Sequence, residues 1–304
     1  MKNNIKNILI PIDLTDAKIN ALNTAIQMAK RHKSNLHLLH IKDIGTHYPG
    51  MGQVAKVTTM MDEVWKKDKA FLEKLTTSIT KSHNLNCSLH SVTGNRPAMI
   101  VKQSALLQAD ITVLGIDPNI SEQTYLTDSL PYKVLRETAG HLLTVPAGKS
   151  VSRFKKIIFL AFSQENPINK LRISKSIIDK NDAQVAMISP FNKKNNNLLN
   201  SIREFSGKLK SRLNTIERAL RQQSVDTLNG TKDLITLSKK EDAQLIIVEA
   251  DIKRNLKEFF FGNFTQKMIR NTEVPVLFVK DLTAKSEYTN PLNVAYENNL
   301  QFGF

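Results

Sequence analysis

The sequence predicts an α/β fold made of two tandem copies of one unit, each with a mostly parallel sheet that helices cover on both faces. Short apolar runs alternate with amphipathic segments along the 304 residues, a length that is enough for two domains of ordinary size. The order of these runs in the first half recurs in the second. In the clearest recurrence, ADITVLG at 109–115 returns as AQLIIVE at 243–249, which is 134 residues further along the chain.

Five apolar runs predict the strands of the first half, at residues 7–12, 36–41, 87–92, 111–114 and 141–145. Thr15 is the predicted cap of a first helix, whose apolar face consists of Ile19, Leu22, Ile26 and Ala29. Apolar residues spaced three and four apart predict the other helices, at 57–79, 97–107 and 130–137.

The second half repeats this pattern less regularly. Strands are predicted at 155–163, 183–189, 243–249 and 275–279, and a long amphipathic helix between Leu198 and Leu220. The two copies join around residues 146–153, and a polar tail begins at Leu282. The predicted domains are therefore 1–147 and 154–281, followed by the tail at 282–304.

The net charge of +15 raises the question of a nucleic-acid partner, so its distribution matters. Basic residues outnumber acidic ones by 18 to 12 in residues 1–150 and by 25 to 16 in the remainder, so the excess is spread over both halves. The densest basic segment, from Arg203 to Arg221, falls on the predicted long helix and is interrupted by Glu204 and Glu217. A solvated helix face is the favoured interpretation, and a nucleic-acid groove is the alternative.

Other features narrow the class of protein. Cys87 is the single cysteine, which excludes an internal disulfide; a small buried residue in a strand is favoured over a reactive thiol. The apolar run near the N-terminus is broken by Pro11 and Asp13, unlike a signal peptide or a membrane span. We therefore expect a cytoplasmic protein with no membrane partner. Because the sequence contains no nucleophile elbow, Walker motif, GxGxxG or HExxH, we predict no catalytic residues.

Several segments together resemble the universal stress protein family, in its tandem form. In the first half these are ILIPIDLT, the helix INALNTAIQMAKRHK, the strand LHLLHI, ADITVLG and LTDSLPYKVLRETAGHLLTVP. In the second half, AQLIIVEADIKRNLKEFFFGNFTQKMIRNTEVPVLFVK is similar but more divergent. The resemblance implies an open, five-stranded, Rossmann-like sheet per half, related to the adenine-nucleotide α-hydrolase fold. It also implies that the last strands pair, so that the halves form an intramolecular pseudo-dimer that can dimerise further.

The ATP-binding members of this family share a turn written G-x2-G-x9-G-[S/T/N]. Its glycines let backbone N–H groups approach the phosphates, and the helix that follows adds the partial positive charge of its N-terminus. In the first half the motif falls on Gly115, Pro118, Asp128 and Ser129. Pro118 has no N–H to donate, and the Asp128 carboxylate would repel a polyphosphate. One glycine of the three is retained.

The corresponding positions of the second half are Glu249, Ile252, Gly262 and Asn263, so one glycine of three is retained there as well. Glu249 adds a further anion to this turn. The resemblance therefore implies that both phosphate turns are degraded.

Two further positions of the ATP-binding members contact the nucleoside. Asp13, after the first strand, matches the acidic residue, and Ile41 matches the position whose backbone lies near the base. The second half has Ala161 or Phe162 in place of the Asp. Asp13 is also a good cap for the helix that follows, so its presence has two interpretations.

All seven histidines lie in the first half, and three of them, His37, His40 and His90, fall on predicted strands. Alternation along a strand places His37 and His40 on opposite faces of the sheet. Without a recognised ligand spacing, ordinary partly buried histidines are favoured over a metal site, and no metal is predicted.

These residues favour a non-enzymatic stress-response protein that acts through a protein partner or a small ligand and holds no cofactor. One alternative is an ATP-binding sensor or slow ATPase that uses Asp13, Gly115 and Ser129 of the first half. The other is a basic protein associated with nucleic acid, for which binding would depend steeply on salt.

Overall fold

The computed structural model describes residues 5–12, 19–43, 54–116, 129–148, 151–160, 168–189, 220–224, 231–250 and 258–280. The elements of the first half are β1 (Asn7–Pro11), α1 (Ile19–His32), β2 (Asn35–Lys42), α2 (Val54–His83), β3 (Cys87–Thr93), α3 (Arg96–Leu106), β4 (Ile111–Ile116), α4 (Leu130–Glu137) and β5 (His141–Pro146). Those of the second half are β6 (Lys156–Leu160), α5 (Ile168–Asn181), β7 (Gln184–Ser189), β8 (Leu220–Ser224), α6 (Thr231–Lys240), β9 (Leu245–Ala250), α7 (Glu258–Asn271) and β10 (Val276–Lys280).

The strands form one continuous sheet in the order β3-β2-β1-β4-β5-β10-β9-β6-β7-β8. The order of the first half, read from its edge to the centre, returns in reverse in the second half. Neighbouring strands are parallel except at the centre of the sheet, where β5 and β10 are antiparallel. The predicted fold of two mostly parallel five-stranded units, paired through their last strands, is confirmed.

The central strand pair has a pseudo-two-fold symmetry. Leu143 lies opposite Leu277, and these two residues are 134 positions apart, which is also the offset between the two copies. On either side of this pair, Thr144 lies opposite Val276 and Leu142 opposite Phe278. An offset of 134 relates Thr144 to Phe278 and Leu142 to Val276, so one flanking pair is the counterpart of the other. The local axis therefore passes between the two leucines. This is the geometry of an isologous dimer interface made within one chain.

The copies also share an anchoring hydrogen bond at the start of each sheet. The Asp110 carboxylate accepts the N–H of Lys6 at 2.6 Å, ahead of β4. Gln244, 134 residues further on, accepts the N–H of Lys155 at 2.6 Å, ahead of β9. The carboxylate of Asp110 and the amide of Gln244 therefore accept a backbone hydrogen bond at equivalent positions of the two copies.

Apolar side chains fill both faces of the sheet, and each core includes residues of both halves. On one face, Ile8 and Ile10 of β1 belong to the same buried cluster as Phe154 and Leu277. On the other face, Leu9 belongs to the cluster that contains Phe278. Because neither core stops at the junction, the two halves are packed as one body around the sheet.

The prediction for the end of the long helix of the second half is wrong. Leu220 and Arg221 belong to β8, which pairs with β7. The rest of the predicted helix, residues 198–219, lies outside the described residues. The strand sequence LRQQS is mostly polar, as edge strands often are, because polar and charged residues there discourage pairing with another chain. Helix α6, which had no counterpart among the predicted elements, follows β8.

None of the helices in the described ranges combines the length and the apolar content needed to cross a membrane.

Candidate functional site

The carboxyl ends of β1 and β4 form the candidate ligand site of the first half. β1 pairs with β2 on one side and with β4 on the other, so the order of the strands reverses at this point of the sheet. Ligands of open α/β sheets bind in the crevice at such a switch point, outside the carboxyl ends of the strands. The second half has the same arrangement, in which β6 lies between β7 and β9.

Gly115 and Ile41 lie close to the carboxyl ends of their strands. Gly115 is the penultimate residue of β4 and pairs with Val145 of β5. Ile41, near the end of β2, is partly buried against the core cluster that contains Leu9. Asp13, the third predicted contact, lies outside the described residues, so its role in nucleoside binding stays a prediction.

Ser129 occupies the N-cap position, immediately before α4. Its backbone is extended, and the residue is only 5% exposed. Its Oγ caps no N–H of the helix and, within the described parts of the chain, has no hydrogen-bond partner. A buried hydroxyl without a partner costs free energy unless a group outside the described residues satisfies it.

The first turn of α4 has few free backbone donors. Pro131 occupies one of the first two helical positions and has no N–H. The N–H of Lys133 already donates to the Ser129 carbonyl at 3.0 Å. The N–H groups of Leu130 and Tyr132 are the remaining donors of this turn, so a phosphate at this helix N-terminus would meet fewer donors than a glycine-rich turn provides.

The two predicted residues of the second half are placed differently. The motif spacing puts Gly262 and Asn263 in a turn ahead of a helix, whereas both lie inside α7, which begins at Glu258. Asn263 is therefore not the counterpart of Ser129 at a helix start. Glu249 lies in β9 and pairs with Val279.

A cluster of side chains on the face of β2 that α2 covers was not predicted. His40 stacks on the indole of Trp65 in α2, with ring centroids 5.5 Å apart and an angle of 14° between the planes. The ammonium of Lys42 lies 6.0 Å from the same ring and forms an ion pair with Asp62. Burial lowers the pKa of His40, which keeps its ring neutral against the indole. The contact depends on how α2 crosses the sheet, and nothing in the spacing of these residues indicates it.

The histidines of the described ranges form no group of three or more with cysteine, aspartate or glutamate that could hold a metal ion. His37 and His40 lie on opposite faces, as the alternation along β2 predicts: His37 contacts β3, and His40 contacts α2.

The comparisons with known proteins agree with this architecture. The profile of the universal stress protein family matches residues 4–142 and 211–280, which together are more than half of the chain. No curated protein sequence matches the chain. A universal stress protein from Archaeoglobus fulgidus has a similar structure, with a TM-score of 0.70 at 17% identity, over 92% of this chain and 98% of that one.

Two structures from Pseudomonas aeruginosa are also similar. A functionally unknown protein has a TM-score of 0.60 at 17% identity, over 91% of this chain and 93% of its own. A putative universal stress protein has a TM-score of 0.58 at 15% identity, over 91% and 94% respectively. These likenesses extend over both halves and show the tandem fold. With the profile match and the duplicated sheet together, this chain belongs to the universal stress protein family.

Proposed function

We propose that the protein is a non-enzymatic universal stress protein that acts in the stress response through a protein partner or a small ligand, with the ATP sites of both halves degraded. The observation that supports this most is the start of α4, where Pro131 removes one of the few N–H groups that could face a phosphate. The sequence immediately before it has Pro118 and Asp128 at two glycine positions of the family motif.

The electrostatics of this turn point the same way. A helix N-terminus carries about half a positive elementary charge, and this charge is its contribution to phosphate binding. The carboxylate of Asp128 precedes Ser129 directly, so it places a full negative charge within the same turn. A polyphosphate would have to overcome that repulsion or bring a cation with it.

The second half supports the proposal independently. Gly262 and Asn263 are inside α7, where their N–H groups belong to the helix rather than to a phosphate turn. Glu249 stands at the first glycine position of the motif, at the carboxyl end of β9. We also propose that residues 1–147 and 154–281 are the two domains, with 282–304 as a polar tail.

One observation favours the alternative of an ATP-binding stress sensor in the first half. The Ser129 hydroxyl occupies the hydroxyl position of the motif at a helix start, and it has no partner within the described residues. The Ser129 hydroxyl could donate a hydrogen bond to a phosphate oxygen if this buried side chain became accessible. Gly115 and Asp13 would then complete the site.

Melting temperatures of the full chain with ATP and magnesium test the proposal. A ligand that binds only the folded state stabilises it by about 2.7 kcal/mol at a hundred times its dissociation constant, so tight binding raises the melting temperature measurably. We expect no shift for the unaltered chain at millimolar ATP. In the Pro118→Gly/Asp128→Gly/Pro131→Ala triple variant, where two motif glycines and the missing N–H of α4 are restored, we expect an upward shift.

The control places Asp13→Ala in the restored background, where it should abolish the shift. An ATP-dependent rise of the unaltered chain, equal to that of the restored variant, would sink the proposal. A phosphate-release assay addresses enzymatic activity separately, and we expect no release above the rate of the buffer blank.

A further inference from the structure

Three polar atoms converge on the sheet near the amino end of β2, away from the carboxyl-end crevice. The Nδ1 of His37 lies 2.9 Å from the Oγ of Ser88 and 3.1 Å from the Nε2 of His90. The same Oγ and Nε2 are 3.1 Å apart. The three atoms therefore form a nearly equilateral triangle, each within hydrogen-bond distance of the other two.

The pairing of β2 with β3 produces this triangle. In the register of the two strands, His37 lies opposite Ser88, and His90 is two residues further along β3. A spacing of two keeps Ser88 and His90 on one face of the strand. Because β3 is the outer strand of the sheet and both histidines are partly exposed, a small ion can reach the triangle from solvent.

A row of asparagine side chains supports the His37 ring from the other side. The Nε2 of His37 is 3.5 Å from the Oδ1 of Asn7, which also accepts a hydrogen bond from the amide of Asn35 at 2.9 Å. The amide of Asn7 donates to the Leu107 carbonyl at 3.0 Å, and this fixes its oxygen toward His37. An acceptor at Nε2 selects the tautomer with the proton on that nitrogen, which leaves the Nδ1 lone pair directed at the triangle.

In the absence of an ion, two hydrogen bonds are enough to join the three atoms. With the Nδ1 of His37 as an acceptor, the Ser88 hydroxyl donates to it and the His90 Nε2–H donates to the Ser88 Oγ. A cation that binds between the rings takes the place of these protons, with the other tautomer of His90 supplying the second nitrogen lone pair.

We propose that His37 and His90, assisted by Ser88, bind a divalent transition-metal ion such as Zn²⁺ or Cu²⁺. Imidazole nitrogens are preferred ligands of these ions, and zinc–nitrogen bonds are about 2.0–2.1 Å long. Two nitrogens on one ion are then about 2.9–3.4 Å apart for bond angles between right and tetrahedral. The observed separation of 3.1 Å lies within that range.

The charge state of the two rings suits metal binding. Burial lowers the pKa of His37 and of His90, and for His37 the neighbouring His90 ring lowers it further. Both rings are consequently neutral at physiological pH, which is the form that ligates a metal. No carboxylate joins the two rings within the described residues. The proposed site therefore holds its ion with two imidazoles, the serine hydroxyl and water, which corresponds to moderate affinity.

Zinc titration of the full chain without an affinity tag, monitored by competition with a chromogenic chelator, tests the proposal. We expect one equivalent of Zn²⁺ to bind with a low-micromolar dissociation constant. His37→Gln and His90→Gln should each weaken binding at least tenfold. The matched control is His83→Gln at the end of α2, which should leave the dissociation constant unchanged.

The ligand identity is tested by the electron paramagnetic resonance of one bound Cu²⁺, in which two imidazole nitrogens give a characteristic splitting. Ser88→Ala keeps both rings and should retain this splitting with a smaller loss of affinity, and circular dichroism confirms that each variant is folded. The proposal is overturned if the unaltered chain binds neither ion at a hundred micromolar. It is equally overturned if the folded His37→Gln variant binds as tightly as the unaltered chain.

Discussion

Lys280, the last residue of β10, links the two halves through a single side chain. Its Nζ donates to the carbonyls of Leu135 at 3.0 Å and Arg136 at 3.4 Å, and also to that of Thr138, at the C-terminal end of α4. These carbonyls have no partner within their own helix, and a cation at this end also interacts favourably with the helix dipole. A lysine of the second half therefore caps a helix of the first.

We expect Lys280→Met to destabilise the protein by about 1–3 kcal/mol at neutral pH, because it leaves the partly buried carbonyls of Leu135 and Thr138 without this donor. Urea denaturation measures this change. The matched control is Lys156→Met, which removes an exposed ion pair with Asp242 and should cost less than about 1 kcal/mol. Equal losses in the two variants would show that the Lys280 cap contributes no more than a surface pair.

His32 makes a second link between the halves. The side chain is 1% exposed, and its Nδ1 lies 3.3 Å from the Oγ of Ser176 in α5. Burial, with a smaller contribution from the charges of Lys180 and Arg31, lowers the pKa of His32 from 6.5 to about 4. The folded protein therefore holds this ring neutral at a pH where the unfolded chain would protonate it.

The sign of the pH dependence follows from proton uptake. Between pH 6.5 and about 4 the unfolded state binds more protons at His32 than the folded state, so the free energy of unfolding falls as the pH falls. The fall attributable to this ring is roughly 3 kcal/mol. We expect His32→Leu to reduce the slope over this range, measured by urea denaturation at several pH values. Ser176→Ala keeps the histidine and should keep the slope, and an unchanged slope in His32→Leu would assign the acid sensitivity to other groups.

At the scale of helices and strands, the turn from α4 into β5 passes very close to the backbone that leads into β4. A side chain at Gly140 would place its Cβ 2.3 Å from the carbonyl oxygen of Ala109, which is backbone and cannot rotate away. This close approach aligns β5 with β4, and β5 then pairs with the second half. Position 140 therefore requires glycine, because the Ala109 carbonyl leaves no space for a Cβ.

We expect Gly140→Ala to destabilise the protein by more than about 2 kcal/mol, because β4 and β5 must separate to admit the methyl group. Thermal unfolding followed by circular dichroism measures the loss. The adjacent substitution Ala139→Ser, on an exposed residue, is the control and should change stability by less than about 0.5 kcal/mol. A Gly140→Ala variant as stable as this control would show that the strands have room to adjust.

The sequence predicts the elements of the first half closely and those of the second half less well. Strands β1, β2, β4 and β5 are largely apolar, β3 is mixed, and each of the five is found within two residues of its prediction. β8 was missed because its residues, LRQQS, are mostly polar, and its pairing with β7 defines it as a strand. Patterns of side chains report burial, whereas an edge strand is defined by backbone hydrogen bonds that no pattern shows.

The carboxyl-end crevice and the triangle of His37, Ser88 and His90 differ in the same way in how far the sequence predicts them. Gly115 and Ser129 were predicted as site residues from motif spacing, which is a local property of the chain, and their role stays a prediction. The triangle of His37, Ser88 and His90 depends on the register between two strands that are about fifty residues apart in sequence. Sequence places both histidines on strands, but only the register brings their nitrogens together.

In the complete molecule, the pseudo-two-fold axis at Leu143 and Leu277 makes a prediction about the isolated first half. A chain of residues 1–147 exposes the β5 edge and the apolar core that Phe154 and Leu277 otherwise cover. Because the axis relates equivalent strands, two copies can restore the same antiparallel pairing. We expect this fragment to be a dimer by light scattering, and a stable monomer would show that the junction lacks this self-complementarity.

The loss of the ATP sites is the central claim about function, and calorimetric titration of the nucleotide-stripped full chain with ATP, with and without magnesium, tests it most directly. We predict no saturable heat up to millimolar ATP in either condition. Saturable binding in the micromolar range, abolished by Asp13→Ala, would contradict this and would make the first half a nucleotide sensor.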